Sequence, residues 1–583
     1  VTPVSFIYTI LFAVIQGLFP VVNAWILKRI FDSVGNTTAL GYPVLFSNNV
    51  IFLLVIQVFI NILSPFLDEL NAYFRRDTHR KINASIKTES LHKIDTLFGV
   101  IQYDSPSFYD NVKTALQGAE FGLSDLLDNL TFASRNLITI FTFGAMLILI
   151  NPFLAGIVTL SVIPQLYIRL FMNKERFKFI YELSPVERFI NYLQQLLSSA
   201  PAAKEIQLFG NSKYLLEKFV TTLQEFNLKE KQQEKRELIR ESSSNLISGI
   251  VNGSALIMVV FQTFMEQLTI GDISLYLNAI QNLSISLSSL VFTYSRLNQG
   301  SLFFSRFQDL MNTPQSIYVS PIPIKMNRFM RSIKIENLGF RYSNNQPWIL
   351  RHLNLEIRNN ESVALVGVNG SGKSTLVKLI ARLYDPNEGA ILWNGLNIRD
   401  FDVREYRSEI GIVFQDFVHY EMTVNENIGL GNVKFIKDNV LIRNAAIKAG
   451  IDHSINKYPR LYETLLTKSL SQDSSGIELS GGEWQKIALA RLFMRDSELF
   501  IFDEPTASLD AESESELHNY LLEVLRQKTC IVISHRLSIT KHVDKIAVLD
   551  NGAIVEYGSH LELMRLKGKY AKLFDLQSKQ YVS

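Results

Sequence analysis

The sequence predicts a polytopic α-helical membrane domain, with six transmembrane helices and long cytoplasmic helical extensions, followed by an α/β domain built on a largely parallel sheet. Three observations predict it. Six apolar stretches fall within the first 300 residues, each close to the roughly 20 residues a helix needs to cross a hydrocarbon core. Beyond residue 332 the chain changes to short β-branched runs (SVALVGV, LFIFDE, CIVISH) that alternate with helical patterns. The mean hydropathy of +0.11 is too apolar for an ordinary soluble enzyme and too polar for a chain that is membrane throughout. At 583 residues the chain also exceeds a single ordinary domain.

The six stretches are residues 4–27, 49–69, 133–150, 153–172, 245–266 and 272–294. The first is too long for a signal-peptide core and no small-residue cleavage site follows it, so it reads as a membrane helix. Asn151-Pro152 joins the third stretch to the fourth as a tight turn, and EQLTIGD joins the fifth to the sixth. The connections 71–132 and 173–244 are long, charged and helical in pattern. They carry Arg75, Arg76, Arg80, Lys81, Lys174, Arg176, Lys178, Lys231, Lys235 and Arg236, which puts them in the cytoplasm by the positive-inside rule. Lys28 and Arg29, on the outer side, count against this and are outvoted. On the sixth stretch Asn278, Gln281, Asn282, Ser288 and Ser289 fall near one face at helical spacing. Polar groups there either bond between helices or line a substrate path, and both readings stay open. Residues 312–332 hold three prolines without periodicity and read as a linker between a transmembrane domain (1–311) and the second domain (333–583).

In the second domain Gly367-Val-Asn-Gly-Ser-Gly372-Lys373-Ser374 follows a strand-like run and opens a helix-like one, the context a phosphate loop requires. Its glycines let backbone N–H groups wrap phosphates, Lys373 supplies a cation and Ser374 can ligate Mg²⁺. The apolar run ELFIFDEP delivers Asp503 and Glu504 to the carboxyl end of a buried strand, where ligands of open α/β sheets sit. Asp503 suits a role on Mg²⁺, and Glu504 is placed to polarise a water for attack on a γ-phosphate. His535 ends CIVISH and could contact the same phosphate. Cys530, inside that run, reads as a buried structural thiol and leaves no intramolecular disulfide. A net charge of +2 from nearly balanced acids and bases lacks the footprint of a nucleic-acid binder. The stretch LSGGEWQKIALAR adds a second anion-facing helix start at Ser480, Gly481 and Gly482.

LVGVNGSGKST, Gln415 in VFQDF, LSGGE (479–483), FIFDEPTASLD and ISHR (533–536) stand in the order and spacing of the nucleotide-binding domain of ABC transporters. The likeness covers about 335–575. With six membrane helices ahead of it, the chain resembles an ABC exporter half-transporter. That resemblance implies ATP and Mg²⁺ as ligands. Tyr342 would stack on adenine, and Asn369, Gly370, Ser371, Gly372 and Thr375 would join Gly367, Lys373 and Ser374 around the phosphates. Gln415, with Ser374 and Asp503, would hold Mg²⁺. Ser508, Leu509 and Asp510 would form the loop crossing between subunits, and His535 would be the switch histidine beside the catalytic Glu504. Ser480, Gly481, Gly482 and Glu483 would complete the site of a second, identical chain. Coupling segments would lie near Ser107-Phe108-Tyr109 and Gly210-Asn211-Ser212. Two departures stand out: Glu483 replaces a commoner glutamine, and LTKSLSQDSSGIE lacks the acidic-glycine pattern of many multidrug exporters.

VFQDFVHYEMTVNENIGL (413–430) and Trp484 resemble the subgroup that exports lanthipeptides from Gram-positive bacteria. The resemblance implies a multi-pass protein of the bacterial plasma membrane, in contact with lipid, with its ATPase domain in the cytoplasm and an amphipathic, modified peptide as cargo. A multidrug or lipid-like cargo is the alternative, and an ATP-regulated sensor without transport a further one. The few charged residues in the apolar stretches argue mildly against a strongly ionic cargo. With the sequence opening on the first membrane helix, no cysteine-peptidase domain is expected ahead of it, and removal of any leader is then expected to fall to another protein.

Overall fold

The computed structural model describes residues 3–582 apart from 40–47, 105, 151, 267–268, 327–330, 470–474, 505–527 and 535–538. The chain divides into two compact units: Val1–Ile94 with Ser107–Thr313, and Asp95–Pro106 with Pro314–Ser583.

The first unit is helical: α1 (Pro3–Ala39), α2 (Asn48–Thr96), α3 (Pro106–Ile150), α4 (Pro152–Ser198), α5 (Ala200–Phe209), α6 (Ser212–Glu266) and α7 (Ile270–Met311). Helix α2 has 49 residues, α4 47 and α6 55. At about 1.5 Å per residue each is roughly 70–80 Å long, more than twice a hydrocarbon core. In α2 and α6 the apolar part can span a bilayer while the charged part continues the same helix into water. Among the described residues five helices carry stretches long and apolar enough to cross a membrane: Val4–Gly35, Val50–Thr96, Asp125–Leu149, Ser212–Phe261 and Ile270–Tyr294. The expected span 153–172 lies within α4, many of whose side chains there are outside the described set.

Ala24, Ala255 and Ala279 let α1, α6 and α7 approach closely, and Phe143, Leu147, Val259, Leu275, Tyr276 and Leu283 fill the space around them. Thr269 and Asp272 close a capping box at the start of α7. Asp272 also binds Lys28 of α1, and the Arg29 guanidinium lies 5.0 Å from the Trp25 ring centroid. The two outer-side cations that count against the assigned orientation are thus paired, one with a carboxylate and one with an aromatic face.

The second unit holds a four-stranded antiparallel sheet, order β2-β1-β4-β5, and a six-stranded sheet, order β10-β9-β3-β8-β7-β6. The strands are β1 (Ser332–Phe340), β2 (Leu350–Arg358), β3 (Ser362–Val366), β4 (Glu388–Trp393), β5 (Leu396–Asn397), β6 (Ile410–Val413), β7 (Leu499–Asp503), β8 (Thr529–Ile533), β9 (Lys545–Asp550) and β10 (Ala553–Gly558). Strands β9, β3, β8, β7 and β6 run parallel. Val363 of β3 stands opposite Ile531 of β8, which stands opposite Ile501 of β7. All five residues of β3, β7 and β8 are buried, which explains their unbroken apolar runs. Cys530 is fully buried and burial pushes its thiol up to about 12, so it is structural. Helices α8 (Lys373–Ile380), α9 (Val403–Ser408), α10 (Val424–Gly429), α11 (Asn439–Lys448), α12 (Asp452–Ile455) and α13 (Gly481–Phe493) complete the part that positions the site.

Residues 95–106, between α2 and α3, belong to this second unit. Val100 N donates to Leu383 O at 3.1 Å, Tyr384 OH to Asp104 Oδ2 at 2.9 Å and Arg407 Nη2 to Phe98 O at 2.6 Å. The docked segment, ending in a 3₁₀ turn at Ile101–Asp104, immediately precedes Ser107-Phe108-Tyr109, where the family resemblance puts the first coupling element. The second expected element, Gly210-Asn211-Ser212, is the break between α5 and α6, with Gly210 at φ 63°.

Candidate functional site

The parallel sheet places three loops side by side. Strands β3 and β7 flank β8, so their carboxyl ends stand about 10 Å apart at roughly 4.8 Å per strand. The phosphate loop leaves β3, Glu504 follows β7, and Gln415 lies just past the end of β6. A cavity of about 510 Å³ at these ends is lined by Tyr342, Ile349, Asn369, Gly370, Gly372, Lys373, Ser374, Thr375, Gln415 and Glu504. Most residues expected at one ATP site therefore converge.

Gly372 caps α8 with φ 104°, where a side chain is strained, and a Cβ there would lie 2.5 Å from Leu350 Cδ2 and displace it. Lys373 is 7% exposed, and its Nζ donates to Gly367 O at 2.9 Å and Val368 O at 3.0 Å. Burial lowers its pKa, while the charges of Glu504 and Asp503 act the other way. Ser371, within the loop, is buried and its Oγ has no hydrogen-bond partner among the described residues.

Asp503 is 5% exposed and its Oδ1 also lacks a partner among the described residues. Burial pushes its carboxyl up to about 6, and the charges of Glu504 and Asp416 push the same way against Lys373 and Lys378. A desolvated carboxylate with a free oxygen suits a cation. Glu504 has φ 51°, a left-handed conformation that is uncommon for a residue with a Cβ. Its backbone N donates to Ile533 O at 3.0 Å, and Gln415 Nε2 donates to its Oε2 at 3.1 Å.

Tyr342 shares a hydrogen bond with Thr375 Oγ1 at 3.1 Å and is held edge-on by Phe340 and Tyr384 at 5.1 and 5.5 Å. Ile349 was not anticipated. It precedes β2, and its place in the wall follows from the sheet and from no local motif.

Ser480, Gly481, Gly482 and Glu483 do not line this cavity. Ser480 is the N-cap of α13, and with Glu483 it forms a capping box: the Glu483 carboxylate accepts from Ser480 N at 3.0 Å and Ser480 Oγ at 2.9 Å. Tyr458 OH donates to the other Glu483 oxygen at 3.1 Å. The geometry gives Glu483 a structural task at the helix start. Ser508, Leu509, Asp510 and His535 lie outside the described residues.

A second cavity, of about 440 Å³, lies among α1, α3 and α7. Of the five residues expected on the α7 face, Asn282 and Ser289 line it, joined by Ile285, Ser286, Phe292, Thr293 and Arg296. Gln281 and Ser288 sit about 80–100° round the helix from the middle of that stripe. Asn278 lies one turn beyond the cavity and donates to Ser274 O of its own helix at 2.9 Å. Helix α3 contributes Asp125, Asp128, Phe132 and Arg135, so the cavity carries more charge than the apolar stretches predict. Arg296 faces Asp125 at 4.0 Å, and Arg135 pairs with Asp68 of α2 at 3.4 Å.

Residues 350–507 match the ABC transporter family profile. The chain is 28% identical to the subtilin transport ATP-binding protein of Bacillus subtilis, over 97% of this chain and 91% of that protein. It is 26% identical to the nisin transport ATP-binding protein of Lactococcus lactis subsp. lactis, over 99% and 94%. Its fold matches the structure of a bacterial Atm1-family ABC exporter with ATP bound, at a TM-score of 0.79, 24% identity and 98% of both chains. The second half of the chain carries an ABC transporter ATPase domain, and the chain as a whole has the fold of an ABC exporter.

Proposed function

We propose that two copies of this chain form an exporter that uses ATP to move an amphipathic peptide, of the lanthipeptide class, out of the cytoplasm by alternating access. The similarity to the subtilin and nisin transport proteins carries this reading, because it runs through the membrane helices as well as the ATPase domain. Tyr342 and Ile349 receive the adenine, and the phosphate loop with Lys373 cradles the phosphates. Glu504, oriented by Gln415, takes the proton of the attacking water. Asp503, Ser374 and Gln415 fit Mg²⁺. Magnesium commonly keeps several waters and is held by a few protein oxygens together with the nucleotide phosphates. Mg²⁺ would neutralise charge developing on the phosphates.

Pairing rests on the signature helix. Ser480 and Gly481 are exposed, outside their own chain's ATP cavity, at a helix start suited to phosphate. Leu208 and Phe209, 79% and 69% exposed at the α5–α6 break, offer a partner an apolar knob. Asp510 would cross the same interface, and His535 would contact the γ-phosphate.

The α1–α3–α7 cavity suits cargo with mixed chemistry: Phe132, Ile285 and Phe292 beside Asn282, Ser286, Ser289 and four charged groups. Its volume falls within the about 300–1,000 Å³ of small-ligand pockets, so it would take one segment of a peptide. The test uses inside-out vesicles holding the purified chain and a fluorescent lanthipeptide. ATP-dependent accumulation of the peptide is the expected result. Accumulation of a lipid analogue or a hydrophobic drug without the peptide would favour the second reading, and hydrolysis with no cargo movement the sensor.

Tyr342→Ala is expected to weaken ATP binding by about tenfold, since stacking of a base on an aromatic ring contributes about 1–3 kcal/mol. Equilibrium binding of a fluorescent ATP analogue measures it, and unchanged affinity would remove Tyr342 from the adenine.

A further inference from the structure

Trp484 is 7% exposed, and its indole is covered by the imidazole of His419, with ring centroids 4.4 Å apart and planes 4° from parallel. His419 lies four residues beyond Gln415, in the segment that leads from β6 into α10. Burial and the nearby Arg491 charge hold His419 below its ordinary range, so near pH 7 it stacks as a neutral ring.

Seven residues after Trp484, on the same face of α13, Arg491 grips the same segment. Its Nη1 donates to Val418 O at 2.7 Å, its Nε to Asn427 O at 2.9 Å and its Nη2 to Asn427 Oδ1 at 2.6 Å. Asn427 is fully buried and turns its own Nδ2 to Tyr420 O, Met422 O and Thr423 O. The segment is thereby fastened to α13 at two points. One end of this assembly carries Gln415, which touches Glu504, and the other carries Ser480, whose carbonyl accepts from Trp484 N at 3.0 Å.

We propose that His419 is a positioning residue: its stack on Trp484 completes a strut from Gln415 to the start of α13. Movement of Gln415 at the chain's own ATP is thereby transmitted to the serine offered to the partner's ATP. The inference rests on the paired reading above. Arg491 holds the far half of α13 to this segment, and the stack holds the half that bears Ser480.

The experiment uses the full chain in lipid nanodiscs and compares wild type, His419→Ala and His419→Phe, the last keeping a ring on the indole. Binding of a fluorescent ATP analogue, the thermal midpoint and the ATP dependence of turnover are measured. His419→Ala is expected to keep nucleotide affinity and midpoint, to lower turnover at subsaturating ATP about fivefold, and to bring the Hill coefficient close to one. His419→Phe is expected to restore both kinetic quantities. A cooperative wild type with a His419→Ala variant indistinguishable from it overturns the inference alone. So does a loss of binding, midpoint and turnover together that His419→Phe does not repair. A wild type with a Hill coefficient of one overturns the paired reading and the inference with it.

Discussion

Glu504→Gln is expected to reduce ATP turnover by about 10²–10⁴-fold while leaving ATP binding intact. That range is the usual contribution of a positioned general base. The substitution keeps the shape of the side chain and an oxygen that can still accept from Gln415 Nε2, now 3.1 Å from Glu504 Oε2. It keeps the backbone as well, since a glutamine at φ 51° meets the same steric cost as the glutamate. It removes one of the charges that raise the pKa of Asp503, so the neighbouring carboxylate becomes easier to ionise. Nucleotide binding should therefore hold or tighten as turnover collapses. Steady-state phosphate release together with equilibrium ATP binding separates the two quantities, and near-normal turnover would remove Glu504 from the catalytic role.

Lys373→Ala is expected to do the opposite and lose binding itself. Lys373 is the buried cation at the start of α8, and its ammonium is held against two carbonyl oxygens of the loop. A hydrogen bond to a charged group contributes about 1.5–3 kcal/mol, so removing the cation from the phosphates should weaken ATP binding roughly 10- to 150-fold. Alanine also leaves Asp503 and Glu504 without the positive charge nearest them, which repels an incoming polyphosphate. Titration with a fluorescent ATP analogue at fixed Mg²⁺ gives the number. If the affinity survives and only turnover falls, Lys373 acts in the transition state and not in binding.

Phosphate chemistry is local, and for that reason it was legible early. Gly367 to Ser374 must be contiguous to bend a loop round an anion, so strand, loop and helix announce themselves in one short string. The same holds for the apolar run that ends in Asp503 and Glu504, and for the buried stretch holding Cys530. Membrane helices are legible because a bilayer demands length and apolarity and little else. The polar stripe of α7 was only half legible. Helical spacing gave its approximate direction, but α1 and α3 decide which of its residues meet a cavity, so Asn282 and Ser289 line it while Gln281 and Ser288 do not. Asp125 joins them from ahead of an apolar stretch and Arg135 from inside one, where a hydropathy scan counts the first as loop and the second as an exception.

The sequence by itself determined the ATPase motifs, their order, and the division into an apolar helical half and an α/β half. Each of these is written in neighbouring residues or in a single periodicity. Only the tertiary structure decided that Lys373, Gln415 and Glu504 face one cavity, because the order β3-β8-β7-β6 joins strands far apart in the chain. It also decided that residues 95–106 pack with the ATPase unit and that His419 covers Trp484. Those contacts depend on which surfaces meet after packing, and no local pattern of residues specifies that.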